Sequence, residues 1–192
     1  MLIFRLSQEL NPDELEQWKD LQKMTLGEGV HPDRALSYCL SREALRACLR
    51  EQGVDLQIPH LIVTDHHKIS LAEDYTLSMS HTKNWGAAVI GSRLKYLGLG
   101  IDVELKDRAI KSAVLDRILH SEDEALSPLN IWCLKEAIFK TLMNAQRITN
   151  PVEFSSIQVT TKGWSHADSN SMGDYQVVDH PKLAIALAWI KI

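Results

Sequence analysis

Asp102 and Glu104 are two carboxylates, two positions apart, at the end of the otherwise apolar run 97–103. In an extended strand, side chains two positions apart point to the same face, so both carboxylates would project into one place. Like charges so close repel each other, and the pKa of one of them rises unless a cation joins them. Oxygen ligands grouped in this way suit magnesium, which commonly binds one or two carboxylates together with water and substrate phosphates. An edge strand with a solvated acidic end is the alternative interpretation of this spacing.

The segment 130–145 predicts a long helix that carries a second group of charged residues. At about 100° per residue, five apolar side chains fall on one stripe that should face the core: Ile131, Leu134, Ile138, Leu142 and Ala145. Lys135 falls within the apolar arc that Phe139 widens, so its ammonium must reach an anion or extend to solvent. Glu136 and Lys140 share the next face as an i,i+4 pair, a pattern that is also typical of an ordinary surface salt bridge.

The run 77–82 ends in Ser80, His81 and Thr82. A histidine flanked by two hydroxyl groups offers several hydrogen-bond donors to a phosphate. A structural histidine at the end of a strand is the alternative interpretation of this run.

Strands and helices must position these groups, and the sequence predicts both. Apolar runs and alternation predict strands at 2–6, 76–80, 86–90, 96–103, 156–160, 175–178 and 183–190. Helices are predicted to begin at Asn11-Pro12 and to occupy 31–50, 111–119, a short piece after Ser121, and 130–145. A polar, mobile loop is predicted at 165–174. Because these elements interleave without regular βαβ spacing, the fold class is α+β rather than a doubly wound sheet.

Composition sets outer limits on the class of protein. The chain has 192 residues, of which 45% are hydrophobic and 24% charged, and this excludes wholesale disorder and fibrous repeats. The net charge is −4, and there is no basic stripe typical of nucleic-acid binding. Three cysteines without a CxxC pair predict neither a disulfide framework nor a zinc ribbon. No apolar run approaches the ~20 residues of a membrane span, so we expect a cytoplasmic protein.

Three stretches together resemble the 4′-phosphopantetheinyl transferase superfamily, in its longer type typified by surfactin-synthetase activators. They are Ser80-His81-Thr82, Leu99-Gly100-Ile101-Asp102-Val103-Glu104, and Trp132-Cys133-Leu134-Lys135-Glu136-Ala137-Ile138-Phe139-Lys140. The family writes the last two as G-(I/V)-D-(I/V)-E and W-x-x-K-E-A-x-x-K, separated by a few tens of residues. The resemblance runs from the region of His31 to the predicted C-terminal strand.

The resemblance implies the 4′-phosphopantetheinyl transferase fold: two similar α+β halves related by a pseudo-two-fold axis, with the active site at their junction. Residues 1–97 would form an N-terminal half with coenzyme A nucleotide contacts, and residues 98–192 a C-terminal half with the metal and catalytic motifs. Such enzymes use coenzyme A as substrate and Mg²⁺ as metal, with Mn²⁺ as an alternative. They move the phosphopantetheine arm onto a serine of an apo acyl or peptidyl carrier protein and release 3′,5′-ADP.

By the same resemblance, the metal ligands are Asp102, Glu104 and Glu136, and Glu124 is a further candidate. The metal would bridge the coenzyme A pyrophosphate and neutralise charge that develops during phosphoryl transfer. Glu136 is the candidate base that removes the proton of the carrier serine, directly or through a metal-bound water.

The resemblance also assigns basic residues to coenzyme A. Lys135 and Lys140 match lysines that contact the phosphates, and Lys140 would stabilise the departing ADP phosphate. Five residues are expected to meet the nucleotide: Ser80, His81, Arg34, Arg42 and Lys68. The family's Gly-Lys-Pro ahead of the Ser-His motif is His67-Lys68-Ile69 here, so the lysine alone is kept.

The expected partners are coenzyme A and an apo carrier of fatty-acid, polyketide or non-ribosomal peptide synthesis, with no nucleic acid and no membrane. The protein is expected to act as a monomer. Attraction of an acidic carrier would need a local basic patch, formed by Lys106, Arg108, Lys111 and Arg117. The alternatives are a catalytically silent coenzyme A-binding regulatory protein of the same fold and another magnesium-dependent phosphoryl enzyme, such as a phosphatase.

Overall fold

The structure is a computed structural model that describes residues 1–64, 68–69, 71–123, 125–148 and 152–192. Within these ranges the chain forms both strands and helices, which confirms the α+β class. The strands are β1 (Leu2–Ser7), β2 (Val63–Thr64), β3 (Lys68–Ile69), β4 (Tyr75–Thr82), β5 (Trp85–Ser92), β6 (Tyr96–Leu105), β7 (Ile157–Thr160), β8 (Gly163–His166), β9 (Ser171–Asp179) and β10 (Leu183–Lys191). The helices are α1 (Leu15–Leu26), α2 (Pro32–Glu51), α3 (Ser112–Ile118) and α4 (Pro128–Asn144). The chain divides into two compact units, Met1–Arg93 and Leu94–Ile192.

The unit Met1–Arg93 is built on a three-stranded antiparallel sheet in the order β1-β5-β4. Helix α2 packs on this sheet and buries Leu40, Ala44 and Cys48. Helix α1 adds Trp18 and Leu21 to the same core. Because α2 lies on the β4–β5 hairpin, the residues at the end of that hairpin are carried close to the helix.

The unit Leu94–Ile192 is built on a five-stranded antiparallel sheet in the order β6-β10-β9-β8-β7. Helix α4 packs across β6 and β10. Its predicted apolar stripe is confirmed, because all five members are buried: Ile131, Leu134, Ile138, Leu142 and Ala145. On β10 the core residues that face this helix include three small alanines, Ala184, Ala186 and Ala188. Small side chains on the sheet allow the helix to approach it closely.

The two units share one connectivity. In each unit the first strand, β1 or β6, pairs antiparallel with the last strand, β5 or β10, and the last strand pairs with the one before it. In each unit the long helix, α2 or α4, lies in sequence between the first strand and that hairpin and packs on the sheet. This similarity belongs to the topology alone, since the residues of the chain show no internal repeat.

Both long helices begin with a capping side chain and a proline. The backbone N–H of Asp33 donates to Nδ1 of His31, and that of Asn130 donates to Oγ of Ser127, each at 3.3 Å. Proline in the first turn lacks an N–H that the helix does not need, and its φ is preset. The predicted helices at 31–50 and 130–145 are confirmed to within two residues at each end. No helix among the described residues combines the length and the apolarity that crossing a membrane requires.

Two predictions for the second unit are wrong. The predicted loop 165–174 contains the end of β8 and the start of β9, because Trp164 and His166 alternate into the interior as a strand requires. The predicted short helix after Ser121 is absent from the described residues of that segment. They form a turn instead, in which the N–H of Asp123 donates to the carbonyl of His120 at 3.1 Å.

Candidate active site

Two glycines on β6 bring the strand and helix α4 into direct contact. A Cβ atom at Gly100 would lie only 1.8 Å from the carbonyl oxygen of Ala137, and one at Gly98 only 2.4 Å from that of Thr141. Side chains alternate along a strand, so Asp102 and Glu104 continue the face on which these glycines lie. The close approach at the glycines therefore places Asp102 beside the turn of α4 that follows Cys133.

Lys140 of α4 reaches across this contact to Asp102. Its ammonium donates to Oδ1 of Asp102 at 2.8 Å and to the carbonyl of Ile101 at 3.0 Å. Asp102 is buried, whereas the Lys140 side chain keeps 27% of its surface exposed. Burial raises the pKa of the neighbouring Cys133 thiol, and the Asp102 carboxylate, by its charge and its hydrogen bond with the thiol, raises it further. The thiol is therefore a neutral neighbour of Asp102.

Glu104 is paired with a basic residue that follows it in the chain. The guanidinium of Arg108 forms an ion pair with the Glu104 carboxylate. The same guanidinium lies over the ring of Trp132, 5.3 Å from its centroid, and Trp132 packs against Phe154 at 6.0 Å between ring centroids. An aromatic face attracts a cation and restricts it to that side of the ring. The Trp132 ring therefore helps to fix Arg108 next to Glu104.

Glu136 lies in the electrostatic field of the same residues. Its pKa is raised, first because burial disfavours the charged form and then because the Asp102 carboxylate repels it. Lys140 and Arg108 act in the opposite direction. The structure thus brings Asp102, Glu136 and Lys140 together and connects Glu104 to them through Arg108. The Asp102 carboxylate disfavours the charged form of Glu136, so a further cation beside them would be stabilised.

The chemistry of this donor set fits magnesium, since all its candidate ligands are carboxylate oxygens. Among the described residues, however, no three side chains of the types His, Cys, Asp or Glu are grouped so that they could hold a metal ion as they stand. Two of the carboxylates instead contact Lys140 and Arg108. Glu124, the further candidate ligand, lies outside the described residues.

Lys135, which the resemblance assigns to the phosphates, lies in the interior of its unit. Its side chain is fully buried, and its ammonium forms an ion pair with Asp123 at 2.6 Å. It also donates to three carbonyls, those of Ile118 at 2.5 Å, Ile157 at 2.8 Å and Phe154 at 3.1 Å. Burial lowers the pKa of Lys135, and the hydrogen bond and charge of Asp123 oppose that change. The requirement that this lysine reach an anion is confirmed, but the anion is a side chain of the protein.

In the first unit, Arg42 is a half-buried cation without an acidic partner among the described residues. Its guanidinium stacks on the ring of Tyr38 at 3.3 Å from the centroid and donates to the Tyr38 carbonyl at 3.3 Å. Burial lowers its pKa, and its Nε has no hydrogen-bond partner in the described part of the chain. By contrast Arg46, one turn further along α2, is paired with Glu14 and Glu43. Arg42 is therefore the arginine of this pair that suits an external anion.

A third glycine brings Arg42 towards the Ser-His motif. A Cβ atom at Gly86 of β5 would lie 2.1 Å from the carbonyl carbon of Leu40 and 2.2 Å from the nitrogen of Ser41. Gly86 is also the cross-strand partner of His81 in the β4–β5 hairpin. His81 is exposed, whereas Ser80 is buried. The His81 end of the hairpin and the middle of α2 are therefore neighbours within this unit.

The other two expected nucleotide contacts lie elsewhere in the unit. Arg34 is exposed in the first turn of α2, about 12 Å along the helix from Arg42 at 1.5 Å per residue. Lys68 lies on β3, in the separate two-stranded sheet with β2. Arg34 therefore lies apart from Arg42, whereas β3 contacts β4, the strand that carries Ser80 and His81.

Sequence reasoning missed two neighbours of the acidic residues. Arg108 was assigned to a basic surface patch, yet it pairs with Glu104. Arg108 follows Glu104 by four residues, a spacing that indicates an ion pair within a helix. Because these two residues lie at a strand end and in the turn after it, the spacing does not predict their contact. Cys133 stands inside the W-x-x-K-E motif, but nothing in its type or position showed that it would face Asp102.

The comparison with known families agrees with this geometry. Residues 98–187, which include most of β6, all of α4 and the first part of β10, match the sequence model of the 4′-phosphopantetheinyl transferase superfamily. This match, over slightly less than half of the chain, supports membership of the superfamily, whose members are transferases that activate carrier proteins, with coenzyme A as substrate and typically a divalent metal. We find no significant match to a curated protein.

Proposed function

We propose that the chain is a magnesium-dependent 4′-phosphopantetheinyl transferase of the longer type, with an apo acyl or peptidyl carrier protein as acceptor. The observation that carries this proposal is the placement of Asp102, Glu136 and Lys140 at one strand–helix contact, with Glu104 and Arg108 beside them. A silent coenzyme A-binding protein would need cations for the phosphates, but it would not need carboxylates that repel each other. The presence of these carboxylates therefore favours a transferase.

In the proposed reaction, the oxygen of the carrier serine forms a bond to the β-phosphorus of coenzyme A. The bond from that phosphorus to the bridging oxygen breaks, and 3′,5′-ADP leaves with the bonding electrons. Glu136 accepts the serine proton, and burial and the Asp102 carboxylate raise its pKa, which makes it a stronger base than an exposed glutamate. Lys140, which is partly exposed, is placed to donate a hydrogen bond to a phosphate oxygen.

We propose that Asp102, Glu104 and Glu136 hold the metal, with Glu124 as a further candidate ligand. A bound magnesium ion would supply positive charge that stabilises the transferring phosphoryl group. For Glu104 to serve as a ligand, its ion pair with Arg108 must loosen. Arg108 is held over the Trp132 ring, so its charge would stay near the phosphates after such a change.

We propose that the nucleotide of coenzyme A is bound by residues of the first unit. Arg42 is the strongest candidate, because its half-buried guanidinium has no carboxylate partner among the described residues. Ser80 and His81 are the next candidates, because Gly86 joins their hairpin to α2 near Arg42. Arg34 and Lys68 complete the proposed set. We further propose that the protein acts as a monomer in the cytoplasm, with the carrier as its macromolecular partner.

The direct test of the proposed function is transfer itself. The protein is incubated with coenzyme A, magnesium and several apo carriers, and intact mass spectrometry of each carrier is combined with detection of 3′,5′-ADP. We expect at least one carrier to gain the mass of one phosphopantetheine arm. Binding of coenzyme A without any mass gain would favour the silent regulator, and release of free phosphate in place of 3′,5′-ADP would favour a phosphatase.

Magnesium is expected to stabilise the protein more strongly as the pH rises. Glu136 has a raised pKa, so between its ordinary value of 4.5 and the higher folded-state pKa its burial destabilises the fold increasingly with pH. The metal binds the ionised carboxylate, so protons compete with it at low pH, and bound metal adds stability by mass action. Thermal unfolding midpoints with and without magnesium should therefore differ more at about pH 8 than at about pH 5. Sodium chloride at equal ionic strength is the control, and an equal effect of both salts would contradict the site.

Replacing Arg42 by glutamine is expected to weaken coenzyme A binding by roughly tenfold, because a charge-assisted contact to phosphate is lost. The matched control is Arg50→Gln on the same helix. Arg50 is exposed and already paired with Asp55 at 2.8 Å, so its loss should leave the affinity unchanged. Isothermal titration calorimetry measures both. Equal affinities of the Arg42 variant and the wild type would remove Arg42 from the nucleotide contacts.

A further inference from the structure

Lys135 is the member of the W-x-x-K-E motif that the proposed reaction does not use. Its ammonium has three protons and four acceptors around it: the Asp123 carboxylate and the carbonyls of Ile118, Phe154 and Ile157. No surface of the side chain is exposed. A phosphate contact would require this whole arrangement to open. The hydrogen-bonding capacity of the lysine is already satisfied inside the protein.

The Asp123 carboxylate is also buried and hydrogen-bonded within the protein. Its Oδ1 accepts from the backbone N–H of Val159 at 2.9 Å, and its Oδ2 accepts from that of His120 at 2.8 Å. The carboxylate thus closes its own turn and also fixes that turn to β7. Only 4% of the side-chain surface is exposed, so the charge of Asp123 depends on Lys135 for compensation.

The same ammonium anchors one wall of the proposed active site. It holds the carbonyl of Phe154, and the Phe154 ring packs at 6.0 Å from both Trp132 and Phe139 of α4. The Trp132 ring in turn lies against the guanidinium of Arg108, which is the ion-pair partner of Glu104. A continuous series of contacts therefore leads from Lys135 to a proposed metal ligand.

We infer that Lys135 is a positioning residue, which with Asp123 locks the turn 120–123 and Phe154 against α4 and so fixes the Trp132–Arg108 side of the site. This inference rests on the proposed function for its effect on transfer, but the Lys135–Asp123 lock itself does not. It departs from the role of a phosphate contact, which the resemblance implied for this lysine.

The test compares Lys135→Met, Asp123→Asn, the double variant and the wild type. For both single variants we expect the kcat of transfer to fall by roughly tenfold to a hundredfold, with the KM and the calorimetric Kd for coenzyme A within about twofold of wild type. Lys140→Met is the comparator, because Lys140 is partly exposed and its loss should weaken coenzyme A binding. A phosphate contact would instead make Lys135→Met weaken coenzyme A binding and leave Asp123→Asn unaffected, which would overturn the inference.

Unfolding measurements test the lock independently of any activity. Each single replacement leaves a buried charge or an unsatisfied partner, so both should lower the urea midpoint. The double variant should lose clearly less than the sum of the two single losses, because the second replacement removes the group that the first left uncompensated. Additive losses would overturn the inference. If the wild type neither binds coenzyme A nor transfers the arm, the proposed function fails, while the non-additivity still decides whether the lock exists.

Discussion

Replacing Asp102 by asparagine is expected to lower the rate of transfer by roughly a hundredfold to a thousandfold. Asparagine keeps the shape of the side chain but removes the charge that would hold the metal and that now pairs with Lys140 at 2.8 Å. Lys140 keeps 27% of its surface exposed, so water can solvate its ammonium and the fold should survive. Mass spectrometry of the carrier gives the rate, and circular dichroism shows that the variant is folded.

The matched control for this experiment is Asp179→Asn. Asp179 is also an aspartate paired with a lysine, Lys106 at 3.5 Å, but it is fully exposed. A surface ion pair of this kind contributes little to stability, so the variant should transfer at the wild-type rate. Wild-type turnover by the Asp102 variant would show that this carboxylate holds no catalytic metal. A loss of turnover in both variants would show a general effect of charge rather than a site.

Replacing Gly100 by alanine is expected to destabilise the protein by about 3 kcal/mol, at the upper end of the cost of overpacking. The added Cβ would lie 1.8 Å from the Ala137 carbonyl oxygen and 2.6 Å from Oγ1 of Thr141. Backbone in the middle of a helix cannot yield as a flexible side chain does, so α4 must move away from β6. That movement separates Glu136 and Lys140 from Asp102, so transfer by the remaining folded protein should fall as well.

Gly29→Ala is the control for Gly100→Ala, because it distinguishes the steric clash at Gly100 from the general effect of replacing a glycine by alanine. A Cβ there would meet nothing within 4 Å, although the φ of +78° is unfavourable for alanine. Its cost should be about 1 kcal/mol, from backbone conformation alone. Urea unfolding of both variants measures the difference. A cost for Gly100→Ala no greater than that for Gly29→Ala would contradict the close strand–helix contact on which the site is built.

The local elements of the site could be predicted from the sequence because they depend on periodicity and on short signals. The apolar stripe of α4 recurs every three to four residues, and Ser127 with Pro128 begins the helix. Asp102 and Glu104 share a face because strand geometry allows nothing else. The same reasoning failed after Ser121 because contacts with distant segments decide the structure there. Asp123 pairs with Lys135 and accepts a hydrogen bond from the N–H of Val159, and its segment forms a turn instead of a helix.

The roles of the two motif lysines illustrate the limit most clearly. Lys135 and Lys140 are identical in type and lie five residues apart on one helix, and the resemblance assigns both of them to the phosphates. The structure buries Lys135 with Asp123 and leaves Lys140 partly exposed beside Asp102. Helical periodicity did place Lys135 in the apolar arc, and it showed that the ammonium must reach an anion or solvent. It could not show which anion, because Asp123 comes from a different segment of the chain.

The sequence by itself determined which residues carry the chemistry, the face on which each lies within its own helix or strand, and the superfamily to which their order belongs. Tertiary structure alone decided which charge meets which: Arg108 with Glu104, Lys140 with Asp102, and Lys135 with Asp123. It also showed that the two units share one connectivity although their residues show no repeat. The physical reason is that periodicity is a property of neighbours in the chain, whereas ion pairs and close backbone contacts depend on distances between segments that only the folded chain sets.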